Sequence, residues 1–256
     1  MCHDLDSMPP IPPLSGAAVD GKRIELEAAD GTRFLAFDAQ ADDSPSSAGI
    51  VILPDVRGLH RFYEELALRF AERGTDAVAI DYFGRTARSS DRGDAFEAMP
   101  HVEQTSYETI MLDVKAARDH LVARGTEHIF SIGFCFGGRL SFLTATRSEL
   151  GLSGGIAFYG PVAGPGRGGA SAPVDVAAQF RAPVLGLFGG ADKGIPQDSI
   201  DAFAAALTAA DVENELVSYP GAPHAFFDRK ATDFADAAED AWVKVLEFVE
   251  RNSPTS

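Results

Sequence analysis

From Arg23 onward the chain alternates between two kinds of apolar spacing. Short runs rich in β-branched and aromatic residues, each bounded by turn formers, appear at "RIELEA", "TRFLAFDA", "GIVILPD", "DAVAIDYFG", "HIFSIGFC", "GGIAFYG", "PVLGLFGG" and "NELVSYPG", and they predict strands. Between them lie segments with helical spacing: Phe62 to Arg73, Val102 to Arg124, Phe136 to Arg147, Pro196 to Ala210 and Asp233 to Arg251. The later runs are the more apolar, as strands covered on both faces must be, whereas the first two carry charges. The pattern predicts an α/β domain, a mostly parallel central sheet of about eight strands with helices on both faces and an antiparallel hairpin at one edge.

No internal repeat and no interdomain linker interrupts this alternation. Residues 1–20 read as a Pro-rich tail and 21–252 as a single domain, with the Gly/Pro-rich stretch 160–173 as a surface loop. A chain of 256 residues that is 45% hydrophobic can bury one large core. Its formal charge of −16 leaves no basic stripe for phosphate backbones or anionic headgroups. Nucleic acid and membrane surfaces are therefore not expected partners, and a small molecule is. No run approaches the ~18 apolar residues of a membrane span, and the start "MCHDLDSMPPIPPLSG" has acids and prolines where a signal peptide needs an apolar stretch. A cytoplasmic location is the expectation, and nothing in the sequence chooses between a monomer and a small homo-oligomer.

The chain has two cysteines, Cys2 in the tail and Cys135 inside a patterned segment, so a disulfide framework is not expected and Cys135 reads as a free thiol. It falls where a strand ends and a helix begins. The spacing Gly133-x-Cys135-x-Gly137, followed by Gly138, is that of a nucleophile elbow, in which a strained turn presents the central side chain above the sheet. A helix N-terminus behind the thiol would favour its thiolate. The alternative for this pentapeptide alone is a small buried hydrophobe.

Two later stretches bear on that choice. "VLGLFGGADKGIP" places Asp192 just past an apolar strand, and "LVSYPGAPHAFFD" places His224 in the loop after the next one. The chain order of nucleophile, acid and histidine is that of a hydrolase triad on such a sheet. His224 would take the thiol proton and return it to a leaving oxygen, while Asp192 would fix the imidazole tautomer. Singly, each could be a turn aspartate or a loop histidine. A dinucleotide fingerprint is imitated by Gly164-x-Gly166-x-x-Gly169, but Pro165, Pro173 and Pro183 break the helix that such a loop must open. The six histidines are scattered without HExxH or CxxC, so no metal is expected.

The pieces "VILPDVRGL", "AIDYFGR", "GFCFGGRL", "GGADKGIP" and "YPGAPHAFFD" resemble the dienelactone hydrolase (carboxymethylenebutenolidase) family of α/β-hydrolases, from about residue 20 to the C-terminus. The resemblance implies an α/β-hydrolase fold, a Cys135–Asp192–His224 triad, and an oxyanion hole from the backbone N–H groups of Phe136 and Val56. It also places Asp55 where the family has a glutamate that helps to activate the thiol; aspartate is one methylene shorter, which allows a water bridge in place of direct contact. Arg85, in "DYFGR", matches an arginine that binds the substrate carboxylate. A second family arginine lies four residues after the histidine, where this chain has Asp228, with Arg229 one step later. Arg57 and His60 stand beside Asp55, either lining the mouth of the site or exposed in the loop. The expectation is a thiol hydrolase for small esters or lactones that needs no cofactor; the alternative is a non-catalytic scaffold of the same fold, binding a small molecule or sensing thiol chemistry.

Overall fold

A computed structural model describes residues 7–15, 19–41, 46–87 and 95–254. Eight strands form one sheet: β1 (Asp20–Glu27), β2 (Arg33–Gln40), β3 (Ala48–Leu53), β4 (Thr75–Ile80), β5 (His128–Phe134), β6 (Gly154–Phe158), β7 (Val184–Gly189) and β8 (Asn214–Tyr219), in the order β1-β2-β4-β3-β5-β6-β7-β8. The β1–β2 and β2–β4 pairs are antiparallel and every other pair is parallel. The parallel strands β3 to β7 are buried at nearly every position, which only a sheet covered on both faces requires. The edge strand β1 is mostly exposed and charged, a composition that discourages pairing with another chain.

Among the described residues six α-helices flank the sheet: α1 (Arg61–Ala71), α2 (Ala98–Val102), α3 (Tyr107–Ala123), α4 (Phe136–Thr144), α5 (Gln197–Ala209) and α6 (Ala235–Arg251). Alternation along the strands sorts them by face. Ile50, Ile52, Phe130 and Ile132 point toward α1 and α6, packing with Phe62, Leu66 and Phe248. Val51 and Leu53 point the other way, toward Ile110, Val114 and Leu121 of α3 and Leu140 of α4. Helix α4 is further fixed to the sheet by buried hydroxyls. Ser131 Oγ of β5 lies 2.8 Å from both Ser141 Oγ and Thr144 Oγ1, and Ser141 Oγ donates to the Ile156 carbonyl of β6 at 2.7 Å.

Two features differ from the sequence pattern. The single helix expected over 102–124 is two, because Ser106 is extended (φ −119°, ψ 134°) and starts α3 afresh, while Thr105 Oγ1 caps α2 by donating to the Val102 carbonyl. The tail expected before residue 21 carries a buried residue, Ile11, which is 6% exposed and joins the core beside α1 and α6. Cys2 lies outside the described residues.

Candidate active site

The chemistry-bearing side chains meet at the C-terminal edge of the parallel strands. Cys135 follows β5 as the residue before α4, with φ 55° and ψ −110°, backbone angles that L-residues adopt only when the surroundings enforce them. The enforcing contacts are backbone to backbone. A β-carbon on Gly133 would collide with the Gly137 carbonyl, and one on Gly137 with the carbonyls of Leu53 and Pro54. Glycine at these two positions lets the first turn of α4 press onto the end of β3. Cys135 N–H donates to the Phe158 carbonyl at 3.0 Å, and Cys135 O accepts from Arg139 N–H at 3.2 Å.

The expected oxyanion donors, Phe136 and Val56, lie on the two segments that meet in this close approach. Phe136 is the first residue of α4, so its N–H has no intrahelical acceptor. Val56 sits in the turn closed by Gly58 N–H to the Asp55 carbonyl at 3.1 Å. Leu53 and Gly133 are register partners in the β3–β5 ladder, so Asp55 and Cys135 occupy matching positions beyond adjacent strand ends. Asp55 is fully buried; its Oδ1 accepts from Arg57 N–H at 2.9 Å, and its own N–H donates to Tyr63 Oη at 2.8 Å. Arg57 and His60 are also buried, at 8% and 7% exposure, and are not exposed loop residues.

Asp192 and His224 arrive from β7 and β8. The two loops are laced together by Gly190 N–H to the Tyr219 carbonyl at 2.8 Å and Ala191 N–H to the Ala222 carbonyl at 2.9 Å. Asp192 Oδ2 lies 2.6 Å from His224 Nδ1, and Asp192 Oδ1 accepts from Gly194 N–H at 2.8 Å. Burial alone would raise the Asp192 carboxyl, but His224 and the N–H groups of Gly194 and Ile195 outweigh it and hold the group below its ordinary value. His224 is pulled down by burial, yet hydrogen bonds to Asp192 and Cys135 and their charges carry it up to about 10. The imidazole thus bridges the carboxylate and the sulfur. Nδ1 is fixed by Asp192, and the same ring hydrogen-bonds to Cys135.

Two expected binding residues, Arg85 and Arg229, have other partners or neighbours. Arg85 is saturated by the protein itself. Nε and Nη2 fork onto Asp113 at 3.2 and 2.7 Å, Nη1 donates to Asp30 and Thr32 at 2.6 and 2.7 Å, and Nη2 also reaches the Thr109 carbonyl at 3.3 Å. A guanidinium so engaged anchors the loop after β4 to α3 and has no fork left for a substrate carboxylate. Arg229 is exposed and lines a cavity of about 870 Å³ walled by residues 7–12, Arg73 and Trp242, which Cys135, Asp192 and His224 do not line. Its neighbour Asp228 is 4% exposed and accepts a hydrogen bond from Tyr159 Oη at 2.7 Å. Tyr159, which the sequence analysis did not single out, backs the imidazole with ring centroids 4.8 Å apart. Its only signal in the sequence is its place just past a strand end. Among the described residues no cluster of His, Cys, Asp or Glu could hold a metal ion, and no helix is long and apolar enough to cross a membrane.

Known proteins share this architecture. A crystal structure described as "Putative Dienelactone Hydrolase from Klebsiella pneumoniae subsp. pneumoniae MGH 78578" superposes with a TM-score of 0.80 at 28% identity, covering 91% of this chain and 99% of that one. The sheet order, its two helical layers and the strained turn after β5 define an α/β-hydrolase. Residues 34–253 match the model of the dienelactone hydrolase family. A protein of Escherichia coli O157:H7 named "Putative carboxymethylenebutenolidase" is 32% identical over 228 residues, 85% of this chain and 82% of its own length. The "Carboxymethylenebutenolidase" of Rhodococcus opacus is 30% identical over 258 residues, 98% and 97% of the two chains. The chain belongs to the dienelactone hydrolase family and is a hydrolase of the ester and lactone type.

Proposed function

We propose that the chain hydrolyses small carboxylic esters or lactones through a Cys135–His224–Asp192 triad and a thioester intermediate. The observation that carries this reading is the unbroken contact from the Cys135 sulfur to His224 and on to Asp192 at 2.6 Å, set at a strained elbow. The Cys135 thiolate attacks the carbonyl carbon, forming the S–C bond as the carbonyl π pair moves onto oxygen. The N–H groups of Phe136 and Val56 receive that oxyanion. The oxyanion collapses, the C–O bond to the leaving alkoxide breaks, and the imidazolium of His224 supplies its proton. Water, deprotonated by His224, then attacks the thioester and restores the thiolate. With the Arg85 fork occupied, uncharged acyl groups suit the site at least as well as carboxylate-bearing ones.

The test is burst kinetics on an aryl ester followed by mass spectrometry of the quenched protein. The expected result is an acyl adduct on the peptide containing Cys135, loss of turnover in Cys135→Ala, and a fall in kcat of several orders of magnitude in His224→Ala, on the scale of other triads. Turnover surviving in Cys135→Ala would reject the mechanism. A wild-type protein without turnover on any ester or lactone of a broad panel would favour a scaffold role.

A further inference from the structure

The triad leaves one buried acid beside its histidine unused. Asp228 stands one turn of chain past His224, and its carboxylate is held from two sides, Oδ2 by the Tyr159 hydroxyl at 2.7 Å and Oδ1 by the Arg229 N–H. Tyr159 is itself fully buried and held at φ 40° just after β6, with its ring tilted 53° against the imidazole of His224. Carboxylate, phenol and imidazole therefore form a second support for the histidine, independent of Asp192. Asp192 fixes one ring nitrogen; Tyr159 fixes the ring face.

We propose that Asp228 is a positioning residue that acts on His224 through Tyr159, and that negative charge on Asp228 makes the imidazole hold its proton more tightly. This rests on the reading of His224 as the base.

The groups that face Asp228 come from every neighbouring element. Asp55 lies beyond β3, Tyr159 beyond β6 and His224 in its own loop, and on the cavity side are Arg73, after α1, Glu239 of α6 and the side chain of Arg229. Burial is the largest influence and favours the protonated acid, and the charge of Asp55 adds to it. The Tyr159 hydroxyl, the Arg229 N–H and the His224 cation oppose them, leaving the group raised to about 8. The sign follows. Below about pH 8 Asp228 is neutral and only positions Tyr159; above it, a carboxylate sits near the imidazolium and stabilises the cation.

The experiment follows the ring nitrogens of His224 by 15N NMR across pH 5 to about 11, beside steady-state kinetics, in wild type, Asp228→Asn and Tyr159→Phe, with His224→Ala assigning the signal. Wild type is expected to show an added inflection near pH 8 on the His224 curve. In Asp228→Asn, which keeps an acceptor for Tyr159, that inflection should vanish and the proton affinity of His224 should fall about threefold or more. In Tyr159→Phe the inflection should move to higher pH, because the acid loses a donor that favours its charged form, and kcat should fall about tenfold with KM nearly unchanged. An Asp228→Asn curve superimposable on wild type, or an inflection that persists in it, would overturn the proposal. The NMR curves stand apart from turnover. Coupling seen in a protein whose His224→Ala variant still hydrolyses esters would reject the assignment of the base and leave the Asp228–His224 linkage in place.

Discussion

Arg85 shows how a side chain can occupy a family position and perform another task. Its fork neutralises Asp113, which is fully buried, and burial, opposed mainly by Arg85, lifts that carboxyl to about 6. Arg85→Ala should therefore act on stability and leave selectivity for carboxylate-bearing substrates unchanged. Breaking one side of a buried pair costs about 3 kcal/mol. The loss should be larger at pH 8 than at pH 5, because the folded pKa of Asp113 lies above its unfolded value, so the acid takes a proton readily at low pH and needs no partner there. Urea unfolding at both values measures this, and an Arg85→Ala protein of normal stability but lowered preference for carboxylate substrates would return Arg85 to the binding site. The sequence could not show this role, since Asp30 and Asp113 lie 55 and 28 residues away in the chain. The places of Cys135, Asp192 and His224 at the strand ends were legible for the opposite reason. Each is tied to a local pattern, a glycine-flanked turn or a loop just past an apolar run, that declares where its side chain will stand.

At the level of elements, strands were the plainest signal, because two-sided burial leaves apolar residues at nearly every position of β3 to β7. The break between α2 and α3 was hidden. Val102 and Ile110 are both buried in the same cluster, so the apolar period runs across the gap, and only the short polar stretch at Thr105 and Ser106 marks it. The segment 160–173 reads as a surface loop and is mostly irregular, but it carries a short 3-10 turn at Arg167–Gly169, buries Val162, Ala170 and Ala172, and is held down by α4. Arg139, 6% exposed, donates to the carbonyls of Pro161, Ala163 and Gly164. Arg139→Met keeps the apolar stem and removes these charge-assisted donors, worth about 1.5 kcal/mol or more. Amides around 161–170 should then exchange on the order of tenfold faster, with β5 and β6 unchanged. Exchange mass spectrometry reads both regions in one measurement, and equal protection in the two proteins would show that the loop holds its shape without the arginine.

For the molecule as a whole, the alternation of elements was enough to give a parallel sheet with helices on each side, but not its strand order. That β4 lies between β2 and β3 is a matter of long-range pairing, which no local period encodes. The packing of Ile11 was equally hidden, as one apolar residue among prolines has no spacing to read. The elbow itself has a consequence at this scale. The angles φ 55° and ψ −110° at Cys135 suit glycine and disfavour every other residue, at about 1–3 kcal/mol of strain. That exceeds the roughly 0.5–1 kcal/mol by which glycine's extra freedom in the unfolded chain would weaken the fold. Cys135→Gly should accordingly melt at a higher temperature than wild type while being inert toward esters, and a lower melting temperature would show that the turn holds no such tension. With Cys135 as the proposed nucleophile, robustness and reactivity are set against each other at a single backbone position, so selection for heat resistance alone would drift toward a sturdier protein that has lost its sulfur.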